Sequence, residues 1–95
     1  MDNKLAALPR MPLQIAAAQA QPVCGDTAAN IARTVELTAI AAGRGARLVV
    51  FPEKFLSGYE PGLISSDPAR YAFEALDARL DPLRETCRRH AIAAV

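Results

Sequence analysis

The sequence has no tryptophan, only two cysteines and one histidine, and almost no excess of charge of either sign. Cys24 and Cys87 are too few to form a disulfide framework, so we expect both to be free thiols. A net charge of +1 over 95 residues gives no indication of a nucleic-acid partner. No stretch reaches the roughly 18 apolar residues that span a bilayer, and the N-terminus lacks the apolar core of a signal peptide. These absences favour a cytoplasmic protein with no nucleic-acid or membrane partner.

Two other kinds of site are disfavoured by the residues present. Cys87 and His90 stand three apart, but two ligands without another Cys or His nearby make a poor zinc site, so a structural role is favoured. The glycines of "GRGARL" (43–48) precede a predicted strand, whereas the glycines of a dinucleotide fingerprint follow one. The sequence therefore predicts no metal ligands.

Glycines and prolines divide the chain into alternating strands and helices. Residues 1–12 are predicted to be an irregular lead-in because Pro9 and Pro12 discourage regular structure. Residues 13–95 are then predicted to be the N-terminal part of an α/β domain, which begins with a strand, a helix and a second strand, a βαβ unit. The predicted elements are strands 13–19, 47–51 and 91–95, helices 27–42, 68–75 and 82–90, and a loop over 54–66.

The first helix is predicted to have one apolar face, made by Ala28, Ile31, Val35 and Ala39 at helical spacing. Asp26 or Thr27 is expected to cap its start, because a short side-chain oxygen accepts from the free N–H groups of the first turn.

The second strand is uniformly apolar. The run "LVVF" (48–51) does not alternate, which is typical of a strand covered on both faces in a parallel sheet. The sequence ends at Val95, within the first residues of its last predicted strand. We therefore expect the sequence to be the N-terminal part of a longer protein.

Pro52 and Glu53 come directly after the second strand. Ligands of open parallel sheets bind beyond the carboxyl ends of the strands, and Glu53 is predicted to lie there. The local pattern alone favours a solvated loop acid over a functional carboxylate.

Longer stretches of the sequence favour a functional carboxylate at Glu53 instead. "FPEKFLSGY" (51–59) resembles the first catalytic motif of the nitrilase, or carbon–nitrogen hydrolase, superfamily. "IAAAQAQPVCGDTAANIAR" (15–33) is similar to the opening strand, turn and first helix of that family, including an Asn inside the helix. "GARLVVFPE" (45–53) and "LDPLRETCRRHAIAAV" (80–95) resemble its second strand and its next helix and strand. The resemblance covers residues 13–95 in the order of the family.

The resemblance implies a four-layer α-β-β-α sandwich, of which this chain holds the first part. It implies hydrolysis of a non-peptide carbon–nitrogen bond in a small amide, carbamoyl compound or nitrile, with no metal or organic cofactor and usually in a homo-oligomer. Glu53 would be the general base that takes the proton of a cysteine thiol, whose thiolate attacks the substrate. Tyr59 would line the substrate site, although an aromatic residue packed beneath the loop fits the sequence equally well.

The sequence departs from the family in lacking its lysine and nucleophile motifs. Cys24 and Cys87 do not match the position of the family's cysteine, and Lys4 and Lys54 do not match its lysine. An alternative therefore stays open, namely an inactive fragment or a small α/β module with a binding or structural role. We expect the 95 residues alone to be inactive.

Overall fold

A computed structural model describes residues 12–95 and shows a parallel sheet of three short strands with helices on one face. The irregular lead-in predicted for 1–12 lies outside the described residues except for Pro12, which is in no regular element. The elements are β1 (Ile15–Ala17), α1 (Thr27–Gly43), β2 (Leu48–Val50), α2 (Pro61–Ser66), α3 (Pro68–Tyr71), a 3₁₀ turn (Ala78–Leu80), α4 (Asp81–His90) and β3 (Ala93–Ala94).

The sheet order is β1-β2-β3, so β2 is the central strand. Leu48 pairs with Ile15 of β1 on one side and with Ala93 of β3 on the other, and both pairings are parallel. The mixed α/β class and the βαβ unit predicted from the sequence are thus confirmed.

Helix α1 begins where its cap was predicted, but its buried face is the predicted one only in part. Asp26 accepts a hydrogen bond from the Ala29 N–H at 3.0 Å, as an N-cap does. Ile31 is buried as predicted, whereas Ala28 is exposed. The other buried residues of the helix are Asn30, Thr34, Thr38 and Ala41. Val35 and Ala39 are half buried, so the predicted face is confirmed in part. Polar residues are also buried, because the Asn30 and Thr34 side chains bond to backbone groups.

The two faces of the sheet have different surroundings. Val49 is 1% exposed and packs with Ala41, Ala46 and Ile92 beneath the helices. The next residue, Val50, points to the opposite face and is 38% exposed. The prediction that β2 is covered on both faces is therefore correct for only one face among the described residues.

The segment after β2 contains a helix that the sequence analysis treated as loop. Pro61 occupies the first turn of α2, where its missing N–H costs nothing. Helix α3 ends at Tyr71 rather than at residue 75. It ends early because the carbonyls of Arg70 and Ala72 accept hydrogen bonds from the Arg79 guanidinium instead of continuing a helix. No helix within residues 12–95 is long and apolar enough to cross a membrane.

Candidate functional site

The carboxyl end of β2 is held by backbone hydrogen bonds on both sides. The Ala18 N–H donates to the Val50 carbonyl at 2.8 Å, and the Phe51 N–H donates to the Val95 carbonyl at 2.7 Å. Pro52 follows with its φ fixed by the ring. Glu53 comes next, at the end of the central strand, and its carboxylate is exposed. The sequence therefore directs a carboxylate out of the most constrained part of the sheet.

The chain turns sharply after Glu53. Lys54 adopts a left-handed backbone with φ of +58°, which is uncommon for a residue with a side chain. Its carbonyl accepts from the Gly58 N–H at 2.9 Å, which closes a turn over 54–58. Ser57 is buried inside this turn and donates from Oγ to the Gly58 carbonyl at 3.0 Å.

This turn packs against the turn that follows β1. The Gly25 N–H donates to the Ser57 carbonyl at 2.9 Å. A Cβ added to Gly58 would lie 2.9 Å from the Cα of Cys24, and φ of Gly58 is +81°. Only glycine fits such a backbone-to-backbone approach at a positive φ.

Asn30 connects the two turns. Its Oδ1 accepts from the Val23 N–H at 2.7 Å, and its Nδ2 donates to the Val23 carbonyl at 2.8 Å and to the Leu56 carbonyl at 3.0 Å. The side chain is 1% exposed. We call this set of hydrogen bonds, with the turns over 22–25 and 54–58, the Asn30 bracket.

Tyr59 lies on the surface and is 67% exposed, so it does not pack beneath the loop. The Lys54 ammonium lies 4.8 Å from the centroid of its ring, within cation–π distance. No contact within the described residues tests the predicted role of Tyr59 at a substrate site, and that role stays a prediction.

An apolar cavity of about 470 Å³ lies beneath the loop that follows β2. Phe51 and Phe55 line it with their ring centroids 5.4 Å apart, and Phe55 is buried. Pro52 and Lys54 also line the cavity, but Glu53 is not in its lining. Glu53 therefore adjoins this apolar space through both of its neighbours in the chain.

The two cysteines are free thiols and lie in different surroundings. Cys24 is exposed in the turn after β1, where its Cα lies against Gly58. Cys87 is half buried in α4, and burial raises the pKa of its thiol above the ordinary value. Within residues 12–95 no three His, Cys, Asp or Glu side chains come close enough to hold a metal ion.

A second hydrogen-bonded cluster, the arginine clamp, organises the segment over 70–84. Its members are Arg79, Arg84 and the groups that accept from them. Arg79 forms a two-pronged ion pair with Asp77, with Nε–Oδ1 and Nη2–Oδ2 distances of 3.0 and 2.6 Å. It also donates to the Arg70 and Ala72 carbonyls at 2.5 and 2.8 Å. Arg84 donates to the carbonyls of Asp77 and Ala75 and to the Asp81 carboxylate.

The clamp perturbs one carboxyl group strongly. Hydrogen bonds from the Arg79 side chain, and then from its backbone N–H, lower the pKa of Asp77 from 3.8 to about 2. Arg79 is in turn stacked 4.1 Å from the centroid of the Phe73 ring. The Arg79–Asp77 ion pair of the clamp therefore requires ionised Asp77.

Neither Asn30 nor the clamp was predicted from the sequence to have a role. The signal for Asn30 was present, because an asparagine inside a helix is unfavourable unless its side chain binds backbone groups elsewhere. The clamp had no comparable local signal, since its arginines bind carbonyls seven to nine residues away.

The comparison with protein families gives one match that covers most of the chain. The model described as carbon-nitrogen hydrolase matches residues 14–95. This range includes β1 through β3 and therefore Glu53, Tyr59 and Asn30.

Several curated proteins are similar to the chain. An arylacetonitrilase of Macrophomina phaseolina is 36% identical over 92 residues, which are 87% of this chain and 26% of that protein. A bromoxynil-specific nitrilase of Klebsiella pneumoniae subsp. ozaenae is 53% identical over 49 residues, 52% of this chain and 14% of that protein. A glutamine-dependent NAD(+) synthetase of Thermotoga maritima is 43% identical over 49 residues, 52% of this chain and 8% of that protein. The chain thus spans about a quarter of the length of the arylacetonitrilase.

Proposed function

The chain belongs to the carbon–nitrogen hydrolase family, and we propose that it supplies Glu53 as the general base for hydrolysis of a nitrile or a small amide. The observation that carries this proposal is the position of Glu53. It leaves the central strand of a parallel sheet at the carboxyl edge, where ligands of such sheets bind.

The proposed reaction begins with transfer of a thiol proton to the Glu53 carboxylate. The resulting thiolate attacks the carbon of the nitrile or amide and forms a carbon–sulfur bond. A lysine ammonium stabilises the negative charge that develops on the substrate. An amide adduct expels ammonia with the proton returned by Glu53, whereas a nitrile adduct, a thioimidate, first takes up one water and then expels ammonia. Either route leaves a thioester, which a further water hydrolyses to a carboxylic acid and the free thiol. A nitrile consumes two molecules of water in this sequence and an amide consumes one.

We propose that neither Cys24 nor Cys87 is the nucleophile. A raised pKa leaves Cys87 protonated at neutral pH, and its half-buried place in α4 gives it little access. Cys24 belongs to a turn whose backbone is packed against Gly58. We accordingly propose that residues 1–95 on their own do not turn over nitriles or amides, and that the cysteine and lysine come from outside them.

We also propose that the open face of the sheet is covered by a second sheet, as the four-layer sandwich requires. The apolar residues on that face support this, since Ile15 and Val50 are exposed among residues 12–95. Parallel sheets are ordinarily covered on both faces.

Nitriles are the first substrates to test, because the similar proteins include an arylacetonitrilase and a bromoxynil-specific nitrilase. The full-length protein is incubated with an arylacetonitrile, an aliphatic nitrile and a primary amide, and released ammonia is measured. We expect turnover of at least one of the three. Glu53→Gln keeps the size of the side chain but removes the base, so kcat should fall about 10²- to 10⁴-fold.

Glu60→Gln is the matched control, since Glu60 is an exposed acid seven residues further along the chain, at the start of α2. It should retain the activity of the wild type within about twofold, as surface substitutions away from special features do. Absence of ammonia from all three compounds would contradict the proposed activity. An active enzyme whose Glu53→Gln variant behaves like Glu60→Gln would contradict the role of Glu53.

A further inference from the structure

We propose that Asn30 is the positioning residue for Glu53. Its amide fixes the turn over 54–58 to the turn after β1 and so sets the direction in which Glu53 leaves the sheet. This inference rests on the proposed role of Glu53 as the base. It goes beyond that role because it assigns the alignment of the base to a side chain on α1 that does not itself touch the reacting groups.

The first argument is the completeness of the Asn30 hydrogen bonds. The amide oxygen accepts from the Val23 N–H, and the amide nitrogen donates to the carbonyls of Val23 and Leu56. All three partners are backbone groups, so the side chain specifies the path of the main chain rather than another side chain. Asn30 itself is 1% exposed, so its amide is shielded from water and relies on these backbone partners.

The second argument is the place where the bonds attach. Leu56 is three residues after Glu53, and the bond from Asn30 joins residues 26 apart in the chain. The Gly25 N–H reaches the adjacent Ser57 carbonyl from the turn after β1. Glu53 therefore stands between two fixed points, the end of β2 before it and the Asn30 bracket after it.

The third argument is the left-handed backbone of Lys54. A side-chain-bearing residue holds φ of +58° only where the surrounding structure imposes it. The turn closed by the Gly58 N–H and the Lys54 carbonyl lies directly between Glu53 and the bracket. Loss of the Asn30 bonds would let Lys54 relax, and Glu53 would move with it.

The experiment uses Asn30→Ala in the full-length protein, with Thr38→Ala as the matched control. Thr38 lies on the same buried face of α1, is fully buried, and its hydroxyl has no partner within residues 12–95. Both substitutions truncate a buried polar side chain, but only Asn30→Ala releases the turn. The measurements are kcat and KM, and hydrogen exchange of the Gly25 and Gly58 amides.

We expect Asn30→Ala to lower kcat about 10- to 100-fold with KM changed less than about threefold, since misplacement of a reacting group affects chemistry more than binding. Exchange of the Gly25 and Gly58 amides should accelerate at least about tenfold. Thr38→Ala should leave both the kinetic constants and these two amides close to the wild type.

Equal effects of the two variants on kcat and exchange would overturn the inference, because Asn30 would then act only through packing. Should the wild type release no ammonia from any substrate, the proposed function fails and the exchange data decide the inference alone. Faster exchange confined to Asn30→Ala then supports the positioning of the turn, and unchanged exchange overturns it.

Discussion

The Asn30 bracket and the arginine clamp perform the same task with opposite chemistry. Each attaches an irregular segment to the body of the protein by side-chain bonds to backbone carbonyls. The bracket uses one neutral amide that is almost completely buried. The clamp uses charged guanidinium groups that are partly open to solvent.

The difference predicts which changes of pH and ionic strength each segment tolerates. A buried neutral amide keeps its bonds at any pH and ionic strength, because it neither titrates nor attracts counterions. An exposed ion pair is weakened by salt and depends on ionisation of its acid. The turn next to Glu53 is therefore held by bonds that do not respond to pH or salt, and the segment over 70–84 is held by bonds that do.

The largest effect on stability should come from removal of the bracket. Asn30→Ala removes the partner of the Val23 N–H, the Val23 carbonyl and the Leu56 carbonyl, three groups in a partly buried place. We expect the free energy of unfolding to fall by about 3 kcal/mol, since each such group costs about 1 kcal/mol or more. Urea unfolding measures this. A loss below about 1 kcal/mol would mean that water replaces the amide and that the bracket is not closed.

Gly58→Ala tests the close approach of the two turns of the bracket. The new Cβ would meet the Cα of Cys24 at 2.9 Å, and alanine is disfavoured at φ of +81°. We expect a loss of about 2 kcal/mol in urea unfolding. Gly43→Ala is the control, because a Cβ at Gly43 would meet nothing within 4 Å. It should be neutral or slightly stabilising, as alanine is favoured within a helix. Similar losses for both variants would show that the two turns do not approach as closely as described.

Thr38→Val tests whether a buried polar residue of α1 stabilises the protein when its side chain has no hydrogen bond. Thr38 is buried on the same helix face as Asn30, yet its hydroxyl has no partner within residues 12–95. Valine has nearly the same shape and removes that hydroxyl. The free energy of unfolding should stay the same or rise by up to about 1 kcal/mol. A clear loss would reveal that the hydroxyl is bonded in solution.

Asp77→Asn should have the smallest effect at neutral pH, because the ion pair it breaks is partly open to solvent. Its value lies in its pH dependence. The pKa of Asp77 is about 2 in the folded protein against an ordinary 3.8. A lowered pKa means that ionised Asp77 stabilises the folded state above pH 3.8, and that this contribution is lost as the pH falls towards 2.

The urea midpoints of Asp77→Asn and wild type should therefore differ above about pH 4 and converge near pH 2. The Asn30→Ala difference should not converge in this way, because no ionised group forms the bracket. A difference between the two urea midpoints that does not change with pH would contradict the expected titration of Asp77.

The sequence predicted the parts of the molecule that depend on local signals. Asp26 or Thr27 was expected to cap α1, and Asp26 does so. A helix was expected to begin at Pro82, which lies in the first turn of α4. The position of Glu53 at the end of the second strand followed from the apolar run before it. Each of these depends on residues that are close together in the chain.

The parts that were missed depend on contacts between distant residues. The burial of Asn30 on α1 could not be predicted from the alanines and valine of the helix. It depends on a hydrogen bond to the Leu56 carbonyl, 26 residues away. Helix α3 ends early because Arg79 binds its last carbonyls. Helix α2 was missed for a different reason, since Pro61 and Gly62 resemble a turn and the six-residue helix has no buried residue to give it a period.

The backbone pairing on both sides of β2 has a consequence for insertions and deletions. The bonds from Ala18 and from Phe51 fix the register of the strand up to the residue before Pro52. One residue added between Val49 and Phe51 would shift the chain by about 3.3 Å and reverse the side on which each following residue points. Changes of length in this strand are therefore incompatible with Glu53 at its present place. The exposed start of α2 carries no such restriction, and length variation among relatives should be found there first.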